Sequence, residues 1–384
     1  MDYSAQASSP LVNGDVKLMI DQDGLTVSGL FDVIDLPFAD VTKLSLDGYV
    51  VTLETDAGVF ALSRLGNWCQ PFYDALCDAY NQAVLRALFV GGVPVLAGRG
   101  DYRFGEAGAA LSGVAPVQVY EDCVVTLPPS LDARRVPLCF VTGLQQGDFQ
   151  VTLGLDDGET YTYAKLGYDT EPFVQAISAG IRALRDKSLA MATEVDPSLT
   201  PAQGSQIAQL LPAGVAAPMG RLMAAAPSFG AALEARIAAG PAAQSYPVLA
   251  QMTDAASVWV GIKPGDTTDD YLLWLIAPSS DKQFAVVEFA QDDAATFVYR
   301  TGGDFDGFAG RLNRALEAIA FHREAIWMTD DDLALAKNAA YRMAVRRTAA
   351  LQFVRANYVG RAIHSGDQAW QAKLAQLMGG QAGS

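Results

Sequence analysis

The sequence predicts an α+β protein: repeated small antiparallel β-barrels or sandwiches, each closed by a C-terminal helix, then a helical connector and a helical tail. Three observations predict it. A segment of about 30 residues recurs at a domain-sized spacing. Each copy passes from β-type to helical patterning. A length of 384 residues with 51% hydrophobic and 18% charged positions supplies two to four cores and excludes a disordered chain.

Residues 37–58 align with 137–158 at an offset of 100, with nine identities in 22 positions, among them Pro37/Pro137, Val41/Val141, Leu53/Leu153, Asp56/Asp156 and Gly58/Gly158. After a one-residue insertion, residues 65–75 and 166–176 add five identities in 11, including Gly66/Gly167 and Pro71/Pro172. Ordinary composition would give roughly two matches over the whole stretch. Solenoid repeats run at about 20–50 residues, so a unit near 100 must hold its own core.

In the first copy (1–90), residues 16–20 and 25–27 read as strands around the turn Asp21-Gln22-Asp23-Gly24. Residues 49–54 and 59–62 read as a hairpin turned at Asp56-Ala57-Gly58. The second copy (91–190) repeats the hairpin over 149–163, with its turn at Asp156-Asp157-Gly158. A helix then opens with proline in its first turn, where a missing N–H costs nothing. Its core stripe is Phe72, Leu76, Ala79 and Ala83 in one copy and Phe173, Ile177, Ile181 and Leu184 in the other. Thr170 and Glu171 read as the cap of the second helix.

Residues 191–245 are rich in Ala, Pro and Gly and read as a helical connector, with short helices over 206–211 and 231–239. It packs on the domains or docks a partner. Residues 246–328 show three apolar β-runs (271–276, 284–289, 296–299), Gly302-Gly303, and a helix carrying Phe305, Phe308, Leu312, Leu316 and Ile319. This order predicts a diverged third copy.

The tail (329–384) begins with Thr329 before Asp330-Asp331-Asp332, a helix cap with an acidic first turn. A long helix is expected over 333–358 and a second from Ser365-Gly366-Asp367 to about Met378, ended by Gly379-Gly380. The formal net charge of -16 divides into +6 for residues 333–384 and -22 for the rest. The candidate interaction residues are Lys337, Arg342, Arg346, Arg347, Arg355, Arg361 and Lys373. They dock on the chain's own acidic body or on a second copy, or they bind an external anion such as nucleic acid or an acidic membrane. Only Arg342 and Arg346 share a helix face at i, i+4, which favours docking over a phosphate-reading stripe.

A ~100-residue unit of antiparallel strands closed by one amphipathic helix resembles the pleckstrin-homology-like superfold, as in tandem bacterial proteins of that kind. The resemblance covers residues 12–90 and 102–188, and more weakly 246–328. It implies binding of a phosphoinositide or a protein without catalysis. Lipid-binding members carry Lys and Arg around the loop joining the first two strands. Here the loops matched to it are Asp21-Gln22-Asp23-Gly24 and Glu121-Asp122, which repel phosphate. The resemblance therefore reduces to protein binding or scaffolding, and phosphoinositide is not the expected ligand.

No catalytic constellation is expected. His322 and His364 stand apart from any GxSxG elbow, and GxxxxGK[ST] is absent. Gly98-Arg99-Gly100 lacks the Rossmann spacing. The pairs Asp269-Asp270, Asp292-Asp293 and Asp304/Asp306 fall at turns and helix starts, where Asp has local roles, with a divalent-cation site or an acid–base pair as the alternative. Cys69, Cys77, Cys123 and Cys139 form no CxxC and read as buried reduced thiols, with a thiol or metal site as the alternative. No cofactor and no metal is expected. The acidic start and the lack of a ~20-residue apolar run predict a cytoplasmic chain.

Overall fold

The computed structural model describes residues 2–106, 109–264, 271–290 and 295–379. They form a mixed α+β structure with three antiparallel sheets. The first sheet contains β1 (Asp2–Ser8), β2 (Asn13–Ile20), β3 (Gly24–Ser28), β4 (Val33–Pro37), β5 (Val41–Asp47), β6 (Val50–Thr55) and β7 (Gly58–Ser63). Its spatial order is β4-β3-β2-β1-β7-β6-β5. Alternation sends Leu18, Val27, Leu44, Leu53 and Phe60 inward. There they meet Phe72, Leu76, Tyr80 and Val84 of α1 (Cys69–Ala87) in one core.

The second sheet contains β8 (Leu96–Glu106), β9 (Ala109–Val119), β10 (Cys123–Thr126), β11 (Arg134–Pro137), β12 (Val141–Gly147), β13 (Gln150–Leu155) and β14 (Thr160–Ala164). Its order, β11-β10-β9-β8-β14-β13-β12, repeats that of the first. α2 (Thr170–Val195) follows and buries Phe173 and Ile177. The likeness reaches the backbone. The β5–β6 and β12–β13 registers shift at the same repeat position, after Val41 and after Val141. Tyr49 and Phe149, Arg64 and Lys165, and Gly58 and Gly158 all take positive φ. The free edge of β5 is covered from the second unit: Leu44 N–H donates to Pro129 O and Leu131 N–H to Thr42 O.

The connector forms α3 (Pro201–Leu210), β15 (Ala217–Pro218), α4 (Met219–Ala225), α5 (Pro227–Ala239) and α6 (Ser245–Met252). α3 opens on a capping box, Thr200 with Gln203. The third sheet is a meander in chain order: β15, β16 (Trp259–Pro264), β17 (Tyr271–Pro278), β18 (Phe284–Ala290), β19 (Ala295–Arg300) and β20 (Tyr358–Ile363). Leu273, Leu275, Val286 and Val298 face the connector helices, with Leu222, Phe229 and Leu233. Trp274, Ile276, Val287 and Tyr299 face α7 (Phe305–Ala318). Helices on both faces explain why β17 is apolar without alternation.

Several expectations change here. The strands and helix expected over 246–328 are present, but their sheet draws β15 from the connector and β20 from the tail, so it crosses both drawn boundaries. Its order differs from that of the two N-terminal sheets. The long tail helix is instead α8 (Asp330–Ala334), α9 (Ala339–Arg347) and α10 (Ala349–Ala356), then β20 and α11 (Asp367–Gly379). Extended backbone at Leu335 and Thr348 breaks the helix, and residues 358–363 pair with β19 to cover its edge. The loop joining the first two strands is Ser9–Val12, because β1 precedes the segment first read as a strand. Asp21–Gly24 and Glu121-Asp122 join β2 to β3 and β9 to β10. Gly98-Arg99-Gly100 lies inside β8, where a Cβ on Gly100 would stand 2.5 Å from Ala164 O. Thr170 is the first residue of α2, and its hydroxyl donates to Gly167 O at 2.9 Å.

Candidate interaction site at the tail

α9 lies against α1 and against the turn that joins β4 to β5. Its apolar side joins two cores: Met343 is buried with the first unit and Ala344 with the third. Its arginines point to the first unit. Arg342 Nη2 donates to Asp40 Oδ1 at 2.7 Å. Arg346 is bidentate on Asp56, at 2.8 and 2.9 Å, and donates to Ala39 O at 3.0 Å. Such a fork on a carboxylate is the strong form of an ion pair. Arg347 is 2% exposed, donates to Tyr80 Oη and to Met343 O, and has no carboxylate partner among the described residues. Burial pulls its guanidinium pKa down, and the same burial pushes the Tyr80 phenol up.

The other candidates fall elsewhere. Arg355 on α10 donates to Asp330 of the tail at 2.9 Å and to Ala325 O, just before it, at 2.8 Å. Lys337, Arg361 and Lys373 are exposed, and Lys373 donates to Gln376 at 3.1 Å. The structure thus brings Arg342, Arg346 and Arg347 together and leaves the remaining four apart.

The acceptors Asp40, Asp56 and Tyr80 were not singled out from the sequence. Asp56 could have been, because Asp56/Asp156 is one of the repeat identities. Asp156 also receives an arginine: Arg314 of α7 pairs with Asp156 and, at 3.1 Å, with Asp157. Next to it Arg135, 8% exposed, donates to Asp122 at 2.6 Å and to Glu317 O. Glu317 in turn accepts from Lys263.

Other chemistry-bearing groups are accounted for by packing. A cavity of about 80 Å³ lies where the second sheet meets α7 and α9–α10, and its four arginines are each engaged: Arg134 with Glu106, Arg135 with Asp122 and Glu317 O, Arg314 with Asp156 and Asp157, Arg347 with Tyr80. Burial raises the Glu159 carboxyl there, 2.9 Å from Tyr161 Oη. Glu288, 1% exposed on β18, faces His364 Nε2 at 3.0 Å, and the same nitrogen lies 3.1 Å from Thr296 Oγ1. A hydroxyl–imidazole–carboxylate relay needs the two ring nitrogens to face different partners. Here one nitrogen faces both, so the contacts tie β18, β19 and the segment after β20 together. Trp370 completes them, donating to Thr296 Oγ1 at 2.8 Å and stacking on His364. His322 stacks on Phe89.

Asp304 caps α7 through Gly307 N–H, and Thr329 with Asp332 forms a capping box on α8. Asp269-Asp270 and Asp292-Asp293 lie outside the described residues. All four cysteines are free, and burial raises their pKa values, Cys77 to about 11 and Cys123 to about 12.

Among known proteins, no family model matches the chain, and no curated sequence matches it. No described helix is long and apolar enough to cross a membrane.

Proposed function

We propose that the chain is a non-catalytic protein-interaction scaffold. In this reading the two N-terminal sheets, each with its following helix, are tandem pleckstrin-homology-like units, and the tail folds back on the acidic body. The common strand order of the two sheets supports the first part. The single observation that carries the reading is the seating of Arg342, Arg346 and Arg347 on Asp40, Asp56 and Tyr80 of the first unit. It turns most of the basic face of α9 into an internal contact. The runner-up, anion binding through the tail, is left with Lys337, Arg361 and Lys373, which sit on three different elements. Phosphoinositide binding by the first unit is disfavoured, since its loop Ser9–Val12 between the first two strands carries no charge.

Protein binding is tested by mass. A gentle extract of the source cells, chemically cross-linked and separated by size, should show the chain well above its own 40.7 kDa, joined to a polypeptide in a fixed ratio. A chain that runs at its own mass in every fraction contradicts the reading.

A further inference from the structure

Both N-terminal units meet the C-terminal third of the chain at the same place. In the first, Asp56 N–H donates to Asp40 O at 3.1 Å, linking the β6–β7 turn to the turn before β5. In the second, Asp156 N–H donates to Phe140 O at 3.1 Å and makes the equivalent link. An arginine-bearing helix lies over each: Arg342 and Arg346 of α9 on the first, Arg314 of α7 on the second, its guanidinium 5.0 Å from the Phe140 ring centre. Local turn chemistry does not account for the shared aspartate. In the first turn the Thr55 hydroxyl accepts from Ala57 N–H, and in the second Asp157 accepts from Glu159 N–H. The side-chain partners of Asp56 and Asp156 are arginines.

We propose that this face of the first unit is a docking site for a helix carrying two arginines one turn apart with an apolar residue between them. α9, with Arg342, Met343 and Arg346, fills the site of the first unit in cis. A partner protein's helix of the same chemistry competes for it. This rests on the scaffold reading and names its partner class. Charge complementarity supports it: the acceptors are carboxylates on a body of net charge -22. So does the size of α9, a nine-residue helix set off by extended backbone at Leu335 and Thr348.

The test uses the full chain with Arg342→Glu and Arg346→Glu, which places carboxylates against Asp40 and Asp56. The probe is a fluorescent peptide of residues 336–357 with the native arginines. Three results are expected. Protease cleavage within 336–357 speeds up in the variant. The peptide binds the variant about tenfold more tightly than it binds the native chain, as two partly exposed ion pairs predict. Adding Asp40→Asn and Asp56→Asn removes that gain. Unchanged cleavage, equal binding to both chains, no binding to either, or binding indifferent to Asp40→Asn and Asp56→Asn would each overturn the proposal. A peptide carrying Arg342→Glu and Arg346→Glu serves as control, and its binding equally well would do the same. Failure of this test leaves the cross-linked mass of the native chain unaffected, so it is separable from failure of the scaffold reading.

Discussion

Arg347 is buried with a phenol and a carbonyl in place of a counter-ion. A buried charge left without partners costs several kcal/mol, so Tyr80, which also donates to Ser130 O at 3.2 Å, joins tail, first unit and second unit in one contact. The thiols show burial acting on pKa. An unfolded thiol ionises near pH 8.5–9, whereas burial keeps Cys77 neutral to about 11 and Cys123 to about 12. The folded chain therefore holds these protons longer, and unfolding releases them. Stability should fall as pH rises from about 9 towards 12. Urea midpoints at pH 8 and pH 10 should show the fall, and Cys77→Ala with Cys123→Ala should reduce it, the tyrosines raised by burial such as Tyr102 and Tyr80 supplying the rest; an unchanged slope in that variant would contradict the raised thiol pKa values. Little of the site was readable one residue at a time. Asp40 and Tyr80 carry no mark in the sequence, because what makes them partners is a contact with Arg342 and Arg347, 302 and 267 positions away.

At the scale of elements, the repeat hairpins were legible because Asp-x-Gly turns sit between alternating apolar residues, a local signal. Two connector helices, α3 and α5, were legible at 206–211 and 231–239, because Thr200-Pro201 opens one and Gly240-Pro241 ends the other; α4 and α6 carry no such local signal. β8 and β9 were missed because Gly, Ala and Arg dilute their alternation, and their stability comes from pairing along eleven residues. β20 was missed because residues 358–363 directly follow the stretch read as a helix (333–358) and hold a glycine, and only the open edge of β19 makes them a strand. The apparent third repeat arose the same way: strands followed by a helix look alike in sequence whether one face or both are covered. α11 is tied to that sheet by Trp370, 2% exposed over His364 and Thr296. Trp370→Ala should cost about 3–5 kcal/mol in denaturant unfolding. A cost below about 1 kcal/mol would mean that α11 is not seated there.

At the scale of the molecule, the charge split is the organising feature. The acidic body and basic tail face each other through Asp40–Arg342 and Asp56–Arg346, while Arg314 and Arg135 hold the second unit against α7 through Asp156, Asp157 and Glu317. The sign of each part was visible in composition; the division of arginines between tail and α7 was not, since it depends on which helix reaches which turn. Partly exposed pairs of this kind are screened by salt, so the seating of α9 should loosen as ionic strength rises. A charge-exchange cycle between Asp56 and Arg346 tests the central claim most directly. Asp56→Arg and Arg346→Asp alone should each lower stability by about 1–2 kcal/mol at low salt. Together they should recover about 1 kcal/mol, with the recovery shrinking at 1 M salt. Strictly additive losses, or a recovery indifferent to salt, would contradict the seating of the tail on the first unit.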